Sequence, residues 1–232
     1  MARKVTQIVE EQIKAWSHRN SSRKPSAPQK KHYPVITISR EFGARGAAMA
    51  ELLGKKTGFK VWDKELLGAI ADHLGSDQKL LETLDERRQE IVEDTVAGFI
   101  KNIHTNVNYL RTLIRVVKTI EEQGNDIIVG RGANYICQHP SSFHIRVVCP
   151  LKKRISEYAK RENISTTEAR RIIEQKDRER ADFIKSNFYK EVATPSDYDL
   201  LINSDTFTLE QMADLVLDAY EMNIGEKVKA LA

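Results

Sequence analysis

The chain has 232 residues and a formal net charge of +4 at pH 7, with 41% hydrophobic and 30% charged residues. This length suits one α/β domain with an embellishment or two small domains, and it is sufficient for a buried core. No apolar run reaches the length of a membrane span, and the N-terminal residues lack the apolar core of a signal peptide, so we expect a cytoplasmic protein. Cys137 and Cys149 have no metal-binding spacing and lie in or beside apolar runs, which predicts buried, reduced thiols.

The positive charge belongs to the first 34 residues, which hold eight Lys and Arg against two acidic residues, whereas the remainder holds 29 against 31. Basic segments can contact nucleic acid, but a solvated segment is more common, so we do not expect nucleic acid binding. Apolar residues at helical spacing predict an amphipathic helix over residues 4–18, followed by a Ser-, Pro- and Lys-rich linker over residues 20–34. The helix packs either on its own domain or on a neighbouring subunit, and the second alternative predicts a homodimer.

Residues 35–53 combine a β-prone run, a polar turn with two glycines and an Ala- and Leu-rich helical run. This order is typical of a phosphate-binding loop, in which backbone N–H groups and a helix N-terminus hold an anion. A strand–turn–helix corner without a ligand has the same appearance. The full pattern of such a loop ends in Gly-Lys-Ser/Thr, and here Gly46 stands at the lysine position.

Two predicted elements follow before a long helical stretch. Residues 59–62 predict a short strand that ends at Asp63, and residues 64–70 predict a helix. An acidic residue at the carboxyl end of a strand lies on the ligand-binding edge of an open α/β sheet, but Asp also caps helices, and both roles stay open for Asp63. Residues 77–123 have helical spacing almost throughout, which predicts a helical insertion with Gly98 between two helices.

Residues 126–129 predict a buried strand that ends in Gly130-Arg131-Gly132. A guanidinium group carries a planar fork of donors that suits phosphate or carboxylate, so Arg131 is a candidate ligand-binding residue, with pairing to a local acid as the alternative. Residues 144–149 predict the next strand, in which we expect Arg146 on a polar face. Residues 150–163 predict a helix.

Ser165-Thr166-Thr167-Glu168 has the pattern of a capping box and predicts the start of a basic helix over about residues 165–190. Its basic residues either pair with acids one turn away on a solvated surface, or they form a mobile lid that brings guanidinium groups onto transferring phosphates. Residues 198–203 predict the last strand, and residues 208–220 predict a closing amphipathic helix.

Five short motifs follow one another along the chain, namely Ile38-Ser39-Arg40-Glu41-Phe42-Gly43, Asp63-Lys64-Glu65-Leu66, Gly130-Arg131-Gly132-Ala133, Asp177-Arg178-Glu179-Arg180 and Tyr198-Asp199-Leu200. With these motifs in this order, the chain resembles the cytidylate kinase-like family over residues 35–220. The resemblance implies a P-loop NTPase-type three-layer α/β sandwich with a mostly parallel sheet, a helical insertion and a basic lid helix. It divides the chain into a basic N-terminal helix and linker, residues 1–34, and a nucleoside monophosphate kinase-like domain, residues 35–225.

The resemblance also implies ATP as phosphate donor, Mg²⁺ as metal, and a small nucleotide such as CMP or dCMP as acceptor. Asp63 would lie by the acceptor site, and Arg131 would hold the acceptor phosphate. Arg178 and Arg180 would come from the lid, with Asp177 orienting them. The donor phosphates would be wrapped by five loop residues, namely Gly43, Ala44, Arg45, Gly46 and Ala47.

The sequence departs from the family pattern at the loop and at the second glycine motif. Established cytidylate kinases carry Gly-Lys in the loop, whereas Gly46 replaces that lysine and no Ser or Thr follows to hold Mg²⁺. Arg40 or Arg45 could compensate, since either can reach a phosphate from the loop. The acid that follows Gly-Arg in these kinases is Gly132 here. Two functions therefore stay open, a nucleotide kinase and a nucleotide-binding or regulatory protein that has lost phosphotransfer, and the metal ligands stay unassigned.

Overall fold

The structure, a computed structural model, describes residues 32–63, 67, 81–82, 84–100 and 107–229. Its strands are β1 (Ile36–Arg40), β2 (Lys60–Trp62), β3 (Asp126–Val129), β4 (Phe143–Val148) and β5 (Leu200–Asn203). The described helices are α1 (Gly46–Thr57), α2 (Glu86–Ile100), α3 (Val107–Gln123), α4 (Ala133–Ile136), α5 (Leu151–Glu162), α6 (Thr166–Phe188) and α7 (Leu209–Ile224), with a 3₁₀ turn at Pro195–Asp197.

The five strands form one sheet in the order β2-β3-β1-β4-β5. β1 pairs in parallel with both β3 and β4, and β4 pairs in parallel with β5. Apolar β-branched residues dominate the central strands because these strands are covered on both faces: Ile36, Ile38 and all of β3 are at most 1% exposed. The predicted α/β fold with a mostly parallel sheet is therefore confirmed.

Parallel pairing determines where the polar turns of the sheet meet. The carboxyl ends of β1, β3 and β4 lie at the same edge, so the loop over residues 41–45, the turn over residues 130–132 and the chain after Val148 are neighbours. In an open α/β sheet this edge is where ligands bind. The pairing of the strands thus places two of the five sequence motifs, residues 38–43 and 130–133, at this edge.

The chain divides into two compact units. The sheet unit comprises residues 34–61 and 126–229, and the described residues of the helical unit are 32–33, 62–63, 67, 81–82, 84–100 and 107–125. In the sheet unit, α1 packs against β1, β3 and α7, and α5 packs against α6. In the helical unit, α2 packs against α3, and Arg115 Nε lies 2.8 Å from Glu93 Oε1.

Helix boundaries follow the local sequence signals. α1 ends before Gly58, which adopts a φ of +75° and donates its N–H to Gly54 O at 2.8 Å. Ser165 caps α6 through its side-chain oxygen, which accepts the Glu168 N–H at 3.1 Å. Thr208 and Gln211 form a complete capping box on α7. The predicted starts of both helices are confirmed, and both cysteines are buried as expected.

The prediction that Gly98 separates two helices is wrong, because α2 runs through it to Ile100. Gly98 is exposed and a Cβ there would meet no atom within 4 Å, so only the intrinsic cost of glycine, about 1 kcal/mol, opposes the helix. The predicted helices over residues 4–18 and 64–70 lie outside the described residues, apart from Leu67, and the homodimer stays a prediction. No helix in the described part of the chain is long and apolar enough to cross a membrane.

Candidate functional site

The loop after β1 is a tight turn that leads directly into α1. Gly43 has a φ of +82° and Arg45, which precedes the helix, has a φ of +60°. A Cβ on Gly46 would lie 2.8 Å from the Cβ of Arg40, closer than side-chain carbons pack. Gly46 is therefore required by the approach of the strand end, and this explains why no lysine stands at that position.

The start of α1 offers backbone donors to an anion. The first N–H groups of a helix have no acceptor within it, and the helix dipole adds partial positive charge at the same place. Ala47 and Ala48 in this first turn are exposed, while the intrahelical bonds begin with the Met49 N–H to Arg45 O at 3.0 Å. Left-handed residues before an exposed helix terminus are typical of backbone sites that bind phosphate.

Arg45 reaches the segment between β5 and α7, which follows the carboxyl end of β5. Its Nη2 donates to the carbonyl oxygens of Ser204 and of Phe207, the second at 3.0 Å. The side chain predicted to contact phosphate therefore binds two backbone carbonyls in this structure. It fixes the loop to a segment about 160 residues later in the chain.

Arg40 and Arg180 meet at the end of β1. Arg180 Nη1 donates to Arg40 O at 2.9 Å, and its guanidinium carbon lies 5.4 Å from the centre of the Phe42 ring. Burial lowers the pKa of Arg180; the charge of Asp177 opposes this effect, and those of Arg154 and Arg146 add to it. Arg178, the other predicted lid arginine, is exposed. The lid helix thus brings one of its two candidate arginines onto the loop.

The turn after β3 packs closely against two other segments. A Cβ on Gly130 would overlap the guanidinium group of Arg40, and a Cβ on Gly132 would overlap the Phe188 ring. Phe188 leaves no room for the acid that established cytidylate kinases carry at the position of Gly132. Arg131, which has a φ of +54°, lies between these glycines with its guanidinium carbon 5.3 Å from the centre of the Phe183 ring.

A polar cluster that the sequence did not indicate lies on β1 and β4, near the carboxyl ends of these strands. Arg146, which we expected on a polar face, is only 6% exposed, and its Nη1 donates to Ser39 Oγ at 2.9 Å. The Tyr198 hydroxyl lies 3.3 Å from the same oxygen, and its ring lies 5.7 Å from the Arg146 guanidinium carbon. Burial, and after it the nearby Tyr198, raises the pKa of the Tyr135 hydroxyl. The only signal in the sequence was an arginine inside an apolar strand.

Arg154 is the second functional side chain that the sequence did not single out. It is 6% exposed, and its Nε donates to Cys149 O at 2.9 Å. Its Nη1 donates to Phe42 O at 3.0 Å and to Asp177 Oδ2 at 2.5 Å, while its Nη2 lies 3.5 Å from Glu41 Oε2. It stands in a helix with four other basic residues, and the sequence offers no means of separating it from them.

Three further predicted site residues, Asp177, Ala44 and Asp63, differ in their contacts and exposure. Asp177 accepts the Phe42 N–H at 2.7 Å in addition to the Arg154 guanidinium, so it contacts the loop as well as a cation. Ala44 is fully buried, and its N–H donates to Glu41 O at 3.3 Å. Asp63 is exposed in the helical unit, and its backbone oxygen accepts the Leu67 N–H at 3.0 Å.

Comparison with known proteins identifies one family and several relatives. The model of the cytidylate kinase-like family matches residues 35–206. The chain is 24% identical over 192 residues to a cytidylate kinase of Archaeoglobus fulgidus. The aligned region covers 81% of this chain and 94% of that protein. The chain is also 24% identical over 128 residues to a uronate isomerase of Corynebacterium glutamicum, which covers 55% of this chain. The chain spans only 25% of the length of that isomerase.

A solved structure supports the fold. An uncharacterised protein from Eubacterium ventriosum is similar with a TM-score of 0.66 and 19% identity, over 83% of this chain and 99% of that one. The family match is the stronger evidence for kinship, because it spans the loop after β1, the turn after β3, the lid helix and β5. The chain therefore belongs to the cytidylate kinase-like family.

Proposed function

We propose that the protein transfers the terminal phosphoryl group of ATP to a small nucleotide such as CMP or dCMP. The observation that carries this proposal is the meeting of the lid helix with the loop, where Arg180 binds the backbone of Arg40 and lies over the Phe42 ring. Phosphoryl transfer depends mainly on positioning and on neutralising charge. A guanidinium group beside a loop that ends in a helix N-terminus meets both requirements.

The donor phosphates would bind at the left-handed loop positions Gly43 and Arg45 and at the first turn of α1. Backbone N–H groups in such turns form concave anion sites, and the helix dipole favours the same charge. Arg40 supplies a cation beside this loop, because its side chain extends along the turn at Gly130. We infer that this arginine takes the part of the missing lysine.

The acceptor would bind beside the carboxyl ends of β3 and β4. Arg131 lies at the first of these ends and Arg146 near the second. Two guanidinium groups are suited to the phosphate of a nucleoside monophosphate, which they can bind through two parallel hydrogen bonds. Asp63 remains a proposed acceptor-site residue on the strength of its motif alone.

The residues of this site do not provide a set of protein ligands for Mg²⁺. The described residues contain no group of three or more His, Cys, Asp or Glu side chains that could hold a metal ion. The carboxylate of Glu41 in the loop accepts the Cys149 N–H at 2.9 Å and lies beside Arg154. Mg²⁺ commonly binds through substrate phosphates and water with few protein ligands, so the proposal assigns it no residue.

The second candidate function is nucleotide binding without phosphotransfer. The observation that favours it is the position of Arg45, whose guanidinium group binds two carbonyl oxygens instead of facing the start of α1. With Gly46 at the lysine position, the loop itself then has no lysine for the donor phosphates. Loss of a single transition-state cation lowers phosphoryl transfer by about 10³- to 10⁵-fold where arginine fingers are removed.

One experiment separates the two functions. ADP release is measured with Mg-ATP and each of CMP, dCMP, UMP and AMP, and ATP binding is measured by calorimetry on the same folded protein. Turnover that depends on CMP or dCMP and is lost in Arg178→Ala or Arg180→Ala supports the kinase and rules out the second function. ATP binding without turnover on any acceptor contradicts the kinase.

A further inference from the structure

Asp177 joins the lid helix to the loop with both of its carboxylate oxygens. Oδ1 accepts the Phe42 N–H at 2.7 Å, and Oδ2 accepts Arg154 Nη1 at 2.5 Å. These contacts cross 135 residues of sequence on one side and 23 on the other. A helix that covers a phosphate-binding loop is thus fastened to the backbone of that loop by one side chain.

Arg154 binds the carboxylate of Asp177 and fixes its position. Its guanidinium group contacts Cys149 O, Phe42 O, Glu41 and Asp177, which belong to the end of β4, the loop and α6. Every nitrogen of the group is used on these partners, and the residue is 6% exposed. The side chain therefore acts as a bracket between three segments and not as a ligand of phosphate.

The bracket determines where Arg180 lies. Residues three positions apart on a helix share a face, so Asp177 and Arg180 reach the loop side by side. Asp177 binds the Phe42 N–H, and the Arg180 guanidinium lies over the ring of the same residue and donates to Arg40 O. A shift of Asp177 therefore moves Arg180 with it.

Two other ion pairs of α6 join residues of the helix to each other and not to the loop. Arg171 pairs with Glu168 at 2.7 Å and Arg170 with Glu174 at 3.1 Å, and all four side chains are more than 40% exposed. Exposed pairs within a helix contribute little to its stability and nothing to its placement against other segments. Glu168 therefore offers a matched control for Asp177.

We propose that Arg154 is a positioning residue, which holds the lid helix against the loop through Asp177 and Phe42 so that Arg180 stays beside the transferring phosphate. This inference rests on the kinase function proposed above. Positioning errors of about 1 Å can cost about 100-fold in rate, whereas ground-state binding of nucleotide changes little when only the transition state loses a contact.

The test compares Arg154→Lys, Asp177→Asn, their combination and the control Glu168→Gln, each first shown to be folded by its thermal melting curve. We expect kcat with Mg-ATP and CMP to fall about 10- to 100-fold in either single variant, while KM for each substrate changes less than about threefold. The kcat of the double variant should be no lower than that of the less active single variant, because both substitutions remove the same Arg154–Asp177 interaction. Losses that multiply, a change confined to KM, or a kcat equal to that of Glu168→Gln would overturn the proposal.

Hydrogen exchange provides a second measurement that does not need turnover. The backbone amides of α6 around Arg180 should exchange about tenfold faster in Arg154→Lys and Asp177→Asn than in Glu168→Gln. If the wild-type protein turns over no nucleotide but this difference is present, the kinase function fails and the bracket stands. If the wild-type protein is active and exchange is the same in all variants, the bracket fails and the kinase function stands.

Discussion

The two faces of α6 carry the same kinds of residue and do different things. On the outward face, Arg171 pairs with Glu168 of its own helix, and both side chains remain in solvent. On the inward face, Asp177 and Arg180 bind the backbone of the loop after β1, and Phe188 packs against Gly132. The comparison teaches that the partner of an arginine decides its role, because the residue type and the spacing are alike on both faces.

The largest difference between the faces should appear when one arginine is removed from each. Arg180→Ala removes the cation that α6 brings to the loop, and we expect kcat with Mg-ATP and CMP to fall by about 10³-fold or more. Arg171→Ala removes only an exposed pair, and kcat should stay within about twofold of the wild type. Steady-state kinetics measure both, and equal effects of the two substitutions would abolish the distinction between the faces.

A smaller effect is expected where the inward face meets the turn after β3. Gly132→Ala places a Cβ against the Phe188 ring at a φ of +69°, so the free energy of unfolding should fall by about 1–3 kcal/mol. The control is Gly98→Ala in α2, where a Cβ meets open space and should stabilise by about 0.5–1 kcal/mol. Urea denaturation measures both changes, and a neutral Gly132→Ala would show that Phe188 moves aside at no cost.

The smallest effect that we expect is on the free energy of unfolding at alkaline pH, and it concerns Tyr135, which packs against Phe188 of α6. Tyr135 stacks on Phe188 with ring centres 5.6 Å apart, and burial raises the pKa of its hydroxyl. The folded protein then holds this proton more tightly than the unfolded chain, so the stability it contributes is complete below about pH 10 and is lost as the pH rises further. We expect the free energy of unfolding to decline less steeply above about pH 10 in Tyr135→Phe than in the wild type. Tyr189→Phe, at an exposed position, should decline as the wild type does.

The fold was accessible from sequence because its signals are local. The strand and loop that lead into α1, the buried run of β3 and the caps at Ser165 and Thr208 depend on residues within a few positions of one another. Gly98 was misjudged since a glycine that meets no other atom does not end a helix.

The site was accessible only in part, because its contacts join distant residues. The loop glycines, Arg131 and Arg180 were identified through short motifs. Arg154 was not, since its contact with Phe42 spans 112 positions and nothing in its own helix distinguishes it. Gly132 was recognised as a departure from the family pattern, but the reason for it, the ring of Phe188, lies 56 residues further along the chain.

Arg45 in the loop after β1 donates hydrogen bonds to the carbonyl oxygens of Ser204 and Phe207. The conformation of this loop therefore depends on the segment between β5 and α7, near the end of the chain. During synthesis on the ribosome, the loop would emerge long before the carbonyls that hold it. A chain released before residue 204 would carry every loop residue and still lack the finished loop. The proposed nucleotide binding would then become possible only late in synthesis, once residues 204–207 have emerged.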